Sequence, residues 1–397
     1  MSAAIATRDA EIRTTLLTNV ATILPLLRKN AERTERDRRI PAENIAAMEQ
    51  NGLFRILVPR KYGGHEASIR TYTDVVAEIS RGCGATGWVA FISDATDWIV
   101  SQYPDEVLDE VYGPSPDTRI IGIFDEAGGR TTKADGGFIL NGQWPFGSGS
   151  HHAQWVALGA PFSDQPGDVG LMLVPTEKLT IKDTWYVAGM RGTGSDTVVA
   201  TDVFVPQRHT FPWGMAFSNQ HPRHGSGTYY GTSFMPTLII MLIAPLLGLA
   251  QAALDVTIER LNRGKKVSYT AYGDSRQAVI TQLQVAEAAT WANAAFVLMR
   301  HWADRLDAAA LAKEDFDYLT RAQLRNDVGY ATRLCRNAVD RLLDAQGASA
   351  FADSNPLQRI WRDLETASRH AILNPDISQE IYGKALLGVE ERITPLV

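Results

Sequence analysis

The chain has 397 residues, 45% of them hydrophobic and 21% charged, with a formal net charge of -6. That length supports a large core in two or three domains or layers, and the acidic balance excludes the basic field that nucleic acid or anionic lipid would require. Cys83 and Cys335 are the only cysteines, which excludes a disulfide framework and a cysteine-based metal site.

At the start, Met1 to Asp9 lacks an apolar run followed by a cleavage site, so no signal peptide is predicted and a cytoplasmic protein is expected. Residues 1–117 read as helical. Apolar positions recur at helical spacing in Ala42 to Gly52 and Tyr72 to Ile79, with Gly52, Gly63-Gly64 and Gly82 as stops and turns. Over residues 118–228 the texture changes. Short runs rich in β-branched and aromatic residues (Ile120 to Phe124, Trp155 to Leu158, Val169 to Val174, Thr197 to Val205) alternate with Gly/Asp turns and predict an antiparallel β domain. Residues 229–397 return to helix, in long Ala- and Leu-rich stretches such as Leu283 to Leu306 and Tyr318 to Ala345. Within them Met235 to Ala252 carries no charge and is nearly long enough to span a bilayer. Pro236, Thr237, Pro245 and Gln251 weaken that reading, and no Lys/Arg cluster flanks the segment. A helix buried in a helical core or an oligomer is the preferred reading, without a membrane. Helices, then strands, then longer helices, with no internal repeat, give an α+β fold class.

Local motifs fall in the same order. Gly52 to Pro59 precedes Tyr62-Gly63-Gly64; Glu78-Ile79-Ser80 precedes Gly84 to Trp88. Met190 to Thr197 leads into Asp202 to Pro206, and Gln346-Gly347 precedes Trp361-Arg362-Asp363. Each is weak alone, but the set in this order resembles the acyl-CoA dehydrogenase superfamily over nearly the whole chain. The resemblance implies an N-terminal helical domain, a central β domain and a C-terminal helical bundle. Dehydrogenases of this type carry a catalytic glutamate about nine residues after an Arg-Asp pair like Arg362-Asp363, since removing an α-proton from a thioester needs a carboxylate base. Here His370-Ala371 stands in that neighbourhood, and Glu365 is too near the pair to face the same way. Together with Gly142 to Trp155, which is similar to a Trp-x-Phe-x-Ser-Gly stretch, this resembles the superfamily's two-component flavin-dependent monooxygenases.

That branch implies FAD or FMN, used as FADH2 or FMNH2, with O2 as co-substrate. Oxygen would add at the flavin C4a carbon, and the resulting hydroperoxide would hydroxylate an aromatic or heteroaromatic small molecule such as a phenol, indole or polycyclic natural product. Ser148 matches the serine beside the flavin's central ring, where a hydroxyl suits N5. His370 matches a late histidine that acts on the substrate or on the outer oxygen. Trp144 and Phe146, two apart on a strand, and Trp185 are candidate flavin walls. Arg191 and Ser195 are candidates for the pyrimidine edge or phosphate, and Arg263 and Lys266, beside Lys265, for phosphate. Gln346 and Gly347 resemble a segment that meets the cofactor of a neighbouring subunit. Trp88, Thr96 and His152 are candidates for the substrate side. His151 and His152, adjacent on a strand, point to opposite faces and make a poor metal pair, and His221 and His224 read as solvated. No metal site is expected.

Two departures stand out. Thr96 occupies the point where the hydroxylases often carry a histidine, which favours a less acidic substrate. Tyr269 stands where dehydrogenases have an arginine before Phe-Gly, here Tyr272-Gly273. No Gly-x-Gly-x-x-Gly opens a βαβ unit, so reduced flavin is expected from a separate NAD(P)H-dependent flavin reductase. The apolar Met235 to Ala252 and the Gln346-Gly347 segment together predict a homotetramer, or at least a dimer. An acyl-CoA dehydrogenase with a displaced base and a non-catalytic flavin-binding subunit remain the alternatives.

Overall fold

The computed structural model describes residues 2–163, 165, 167–217, 231 and 233–397. Five helices open the chain: α1 (Ser2–Arg36), α2 (Ala42–Gln50), α3 (Ile69–Gly82), α4 (Gly84–Val100) and α5 (Asp105–Tyr112). Ser68 caps α3 by accepting the Thr71 N–H, and Asp9 of α1 accepts both the Ser68 N–H and its hydroxyl, which fixes α1 to the start of α3.

The central zone holds β1 (Ile120–Ile123), β2 (Gly129–Ala134), β3 (Gly137–Gly147), β4 (Trp155–Pro161), β5 (Val169–Pro175), β6 (Thr180–Lys182), β7 (Asp196–Pro206) and β8 (Thr210–Pro212). They form two four-stranded sheets, ordered β1-β4-β5-β8 and β2-β3-β7-β6. The expected antiparallel pairing holds except that β1 runs parallel to β4, with Ile120 opposite Trp155. The strand run Ile120 to Ile123 has no hairpin to β4; its pairing is decided by a long connection, which periodicity does not encode. Side chains from both sheets, among them Ile121, Leu140, Trp144, Leu158 and Val198, close a core between them.

The remaining described elements are helices: α6 (Trp213–Phe217), α7 (Phe234–Leu261), α8 (Val279–Ala312), α9 (Tyr318–Gln346), α10 (Pro356–Ala367) and α11 (Pro375–Leu386). The two helical zones are far apart in sequence but share one core around α7, which packs on α3, α4, α8, α9 and α10. Gly248 permits the closest approach: a Cβ there would lie 2.0 Å from the Ala77 carbonyl oxygen on α3. The most apolar window of α7 is 83% buried inside the single chain. This corrects one ground for an oligomer, because the apolar surface of Met235 to Ala252 is already covered by the chain's own helices.

Candidate active site

The site grows from a fault in β3. Phe146 adopts φ +64°, and the β3–β7 register slips between Trp144 and Gly147. A bulge of this kind breaks the two-residue alternation, so Trp144 and Phe146 do not share a face. Trp144 is wholly buried between the sheets, its indole N–H donating to the Gly159 carbonyl at 2.8 Å, whereas Phe146 is 66% exposed. Trp144 is thus a core residue with no face left for a flavin, which corrects its reading as a flavin wall. Past the bulge the chain turns inward at Ser148, which is buried.

Ser148 meets two other elements. From α4, the Trp88 indole N–H donates to Ser148 Oγ at 3.3 Å. From the segment ahead of β7, Ser195 Oγ lies 2.7 Å from Ser148 Oγ and 2.6 Å from Thr193 Oγ1, and Thr193 donates to the Met190 carbonyl at 2.8 Å. This segment has an unusual backbone: Met190 and Gly194 are left-handed, at φ +56° and +53°, on either side of a 3-10 turn over Arg191–Thr193. A left-handed non-glycine costs about 1–2 kcal/mol, and the surroundings hold Met190 in place. Asp363 of α10 accepts the Met190 N–H at 2.5 Å, and Arg362 donates to the Ala188 carbonyl and pairs with Glu35 of α1. Asp196 accepts the Thr184 and Trp185 N–H groups and pairs with His151 Nε2 at 2.7 Å. Burial pushes the Asp363 carboxyl up to about 6, partly offset by the Met190 N–H.

His370 arrives from the end of α10. Its ring centroid lies 6.3 Å from that of Trp88, which also packs edge-on against Phe91 at 5.2 Å. The His370 side chain is exposed on one side, yet surrounding protein removes enough water to push its pKa down to about 4. One face of the ring is open to solvent, and the protein packed against the other side sets the direction of the shift. Nδ1 accepts the Ile372 N–H at 3.4 Å, which leaves the proton of the neutral ring on Nε2. The near-neutral titration expected from the sequence is therefore moved into the acid range.

Other expected site residues are placed differently. Thr96 is buried, its hydroxyl donating to the Ile92 carbonyl at 2.7 Å and packed near Gly122, so it offers nothing to a substrate. His151 and His152 lie in a 3-10 turn rather than on a strand. His152 has a buried Nε2 without a hydrogen-bond partner among the described residues, and burial pushes its pKa down to about 4. Trp185 donates to the Met190 carbonyl at 2.9 Å and meets the Phe146 ring edge-on, and Arg191 donates to the Val187 carbonyl. Gln346, Gly347, Arg263 and Lys266 belong to a second group at the end of α9. There Gln346 donates to Thr257 and accepts from Asn355, Gly347 has a positive φ of +66°, Lys265 donates to Ser349, and exposed Arg263 pairs with Glu259. Lys266 is exposed. His221 and His224 lie outside the described residues. Glu365 is held by Arg336 and Arg369 at 3.0 and 2.7 Å. A cavity of about 210 Å³ touches Gly192, Thr34, Cys83 and Asp363 but neither Ser148 nor His370.

Sequence reasoning missed Thr193 as a partner of Ser195 and Asp363 as the anchor of Met190. The alternation of hydroxyls in Arg191 to Ser195 was the available signal for the first. No local signal points to the second, since it joins residues far apart in the chain.

The acyl-CoA dehydrogenase N-terminal domain model matches residues 20–114 and the C-terminal domain model residues 240–375. The oxygenase subunit HsaA of a flavin-dependent monooxygenase from Mycobacterium tuberculosis (strain ATCC 25618 / H37Rv) is 34% identical, over 96% of this chain and 97% of that protein. The oxygenase component of an FADH(2)-dependent resorcinol hydroxylase from Rhizobium sp. (strain MTP-10005) is 32% identical over 95% of each. Among solved structures, XiaF from Streptomyces sp. in complex with FADH2 and glycerol superposes with a TM-score of 0.90 at 32% identity, covering 99% of both chains. With Ser148, Trp88 and His370 gathered between its helical and β parts, this chain belongs to the acyl-CoA dehydrogenase family and, within it, to the oxygenase components of flavin-dependent monooxygenases.

Proposed function

We propose that this protein hydroxylates an aromatic or heteroaromatic small molecule, using O2 and reduced flavin delivered by a separate reductase. The observation that supports it is that Trp88 touches both Ser148, through its indole N–H, and His370, through its ring, so that a hydroxyl, an aromatic face and an imidazole lie close together. Relatives named for resorcinol, p-hydroxyphenylacetate and indole-3-acetate support the substrate class, and their designation as oxygenase components supports the reductase.

The residues present fit a flavin. Ser148 Oγ retains bonding capacity beyond Trp88 and Ser195, and the buried His152 Nε2 four residues on has no hydrogen-bond partner among the described residues. Bound there, reduced flavin supplies the electrons that activate O2 for oxygen transfer. Ser148 would hold the central ring, with Arg191, Trp185 and Phe146 along one edge and Ser195 behind Ser148. Arg263, Lys266, Gln346 and Gly347 would hold the far end of the cofactor of a neighbouring copy. Trp88 and Phe91, packed edge to face, would present an apolar aromatic surface to the substrate side. Neutral His370 presents a hydrogen-bond donor at Nε2, suited to an oxygen of the substrate or the oxygen being transferred. Glu365, the acid nearest the Arg362-Asp363 pair, is occupied by Arg336 and Arg369 and is not free to act as a base.

The assembly is a homotetramer in this reading. Its support is the resemblance of the Gln346-Gly347 segment and an exposed apolar strip on α8, where Val279, Ile280 and Leu283 are each more than half exposed.

The test supplies FADH2 from a flavin reductase and offers panels of phenols and indoles under 18O2. Incorporation of one labelled oxygen into an aromatic product is expected, with no NADH or NADPH oxidation by the protein alone. Bleaching of bound FAD by an acyl-CoA, with no oxygenated product, would replace this reading with the dehydrogenase one.

A further inference from the structure

We infer that Thr193 and Ser195 fix the direction of the Ser148 hydroxyl, so that Ser148 meets the flavin only as a hydrogen-bond acceptor and thereby selects reduced over oxidised cofactor. The inference rests on the reading of Ser148 as a flavin contact. It goes further by assigning to two other residues the setting of that contact's polarity.

The argument follows the protons along a chain of hydroxyls whose two ends are fixed. At one end the Trp88 indole nitrogen can only donate, and it donates to Ser148 Oγ. At the other end the Met190 carbonyl can only accept, and it accepts from Thr193 Oγ1. Each hydroxyl has a single proton. Thr193 has spent its proton on Met190, so in its contact with Ser195 it accepts and Ser195 donates. Ser195 has then spent its own proton, so in its contact with Ser148 it accepts and Ser148 donates. Ser148 is left with no free proton and one uncommitted lone pair. All three residues are almost fully buried, so no water is at hand to reverse the order.

The consequence concerns flavin N5. Two-electron reduced flavin carries a hydrogen on N5, and an acceptor-only serine completes a hydrogen bond with it. Oxidised flavin carries a lone pair there, and an acceptor-only serine sets two lone pairs against each other with no donor between them. A serine free to rotate would serve both forms, and the Ser195–Thr193–Met190 chain removes that freedom. The left-handed Met190, held by Asp363, is what aims its carbonyl at both Thr193 and Trp185. Ser195 and Thr193 are on this account positioning residues, acting through Ser148.

The experiment is an anaerobic equilibrium titration of FAD and FADH2, repeated with FMN and FMNH2, on the parent protein and four variants. The parent should bind the reduced form more tightly. Ser195→Ala frees the Ser148 proton to point at oxidised N5, so the ratio of oxidised to reduced dissociation constants should fall by roughly tenfold, the worth of one neutral hydrogen bond. Thr193→Val, close to isosteric, should lower the ratio in the same direction, because Ser195 can then donate to Ser148. Ser195→Thr keeps both hydroxyl contacts and should hold the parental ratio. Should Ser195→Ala fail to fold, Thr193→Val decides the matter. A parent with no preference for reduced flavin overturns the inference. So does a parental ratio in both Ser195→Ala and Thr193→Val while Ser148→Ala changes it, for Ser148 would then touch the flavin without being oriented. Unchanged binding of both forms in Ser148→Ala would instead overturn the placement of Ser148 itself.

Discussion

At the residue scale, His370 shows how position overrides intrinsic chemistry. A free imidazole titrates near pH 6.5, but surrounding protein pushes this one down to about 4. The folded state therefore takes up this proton less readily than the unfolded chain does. The stability tied to His370 is complete above about pH 6.5 and is lost as pH falls toward about 4. Protonation would place a proton on Nδ1 and break its acceptance of the Ile372 N–H, which orients the ring, so oxygen transfer should stay flat from pH 8 to 6 and weaken only as the pH approaches the group's own pKa. His370→Ala should lower product yield per flavin oxidised by about tenfold or more and should abolish that acid-side loss. A parent whose yield already falls between pH 7 and 6, in step with an unperturbed histidine, would contradict this assignment. Measuring the ratio of hydroxylated product to hydrogen peroxide across the pH range gives the answer.

At the scale of elements, the decisive contact is between α10 and the turn before β7. Arg362 and Asp363 lie next to each other on the helix, and both reach the backbone of the turn, at Ala188 and Met190. A Cβ on Gly189 would come within 2.0 Å of the Arg362 carbonyl oxygen, so helix and turn meet backbone to backbone. Asp363→Ala leaves a buried N–H unpaired beside a left-handed residue and should cost about 1–3 kcal/mol. Asp363→Asn keeps an acceptor oxygen in place and should cost less. Thermal unfolding checks the stability, and titration with FADH2 checks whether loosening the turn also weakens flavin binding. Equal losses in the two variants would show that the carboxylate charge matters here and the acceptor geometry does not.

For the whole molecule, the helices that looked separate in sequence are one body, and the surface left over is the informative part. Met235 to Ala252 reads as the natural interface because of its apolarity, but α7 spends that apolarity within the chain. An exposed apolar strip lies instead on α8, with Val279, Ile280 and Leu283 on its first turns and Val297 further along. A second copy of the chain covering this strip would remove it from water. The parent should scatter light as a tetramer, or at least a dimer, at micromolar concentration. Leu283→Lys, placing a charge in the strip, should shift the mass toward the monomer while leaving the helical signal in circular dichroism unchanged. A monomeric parent would refute the assembly.

Sequence alone determined the zones, because the hydrophobic period and the β-branched texture are local properties that any folded form must respect. It also determined the family, since motifs such as Met190 to Thr197 and Trp361 to Asp363 are contiguous strings. Ser148 and His370 were singled out by the same means. Which aromatics serve the site was not. Trp144 and Phe146 look equivalent on a regular strand, and only the bulge in β3 buries one and exposes the other. Likewise Thr96 and Trp88 lie on one helix, but the sheet packed against α4 closes over Thr96, whereas the Trp88 indole reaches Ser148. The parallel β1–β4 pair, the titration range of His370 and the Asp363–Met190 bond belong to the tertiary structure for one reason. Each depends on desolvation or contact between segments that no local stretch of sequence specifies.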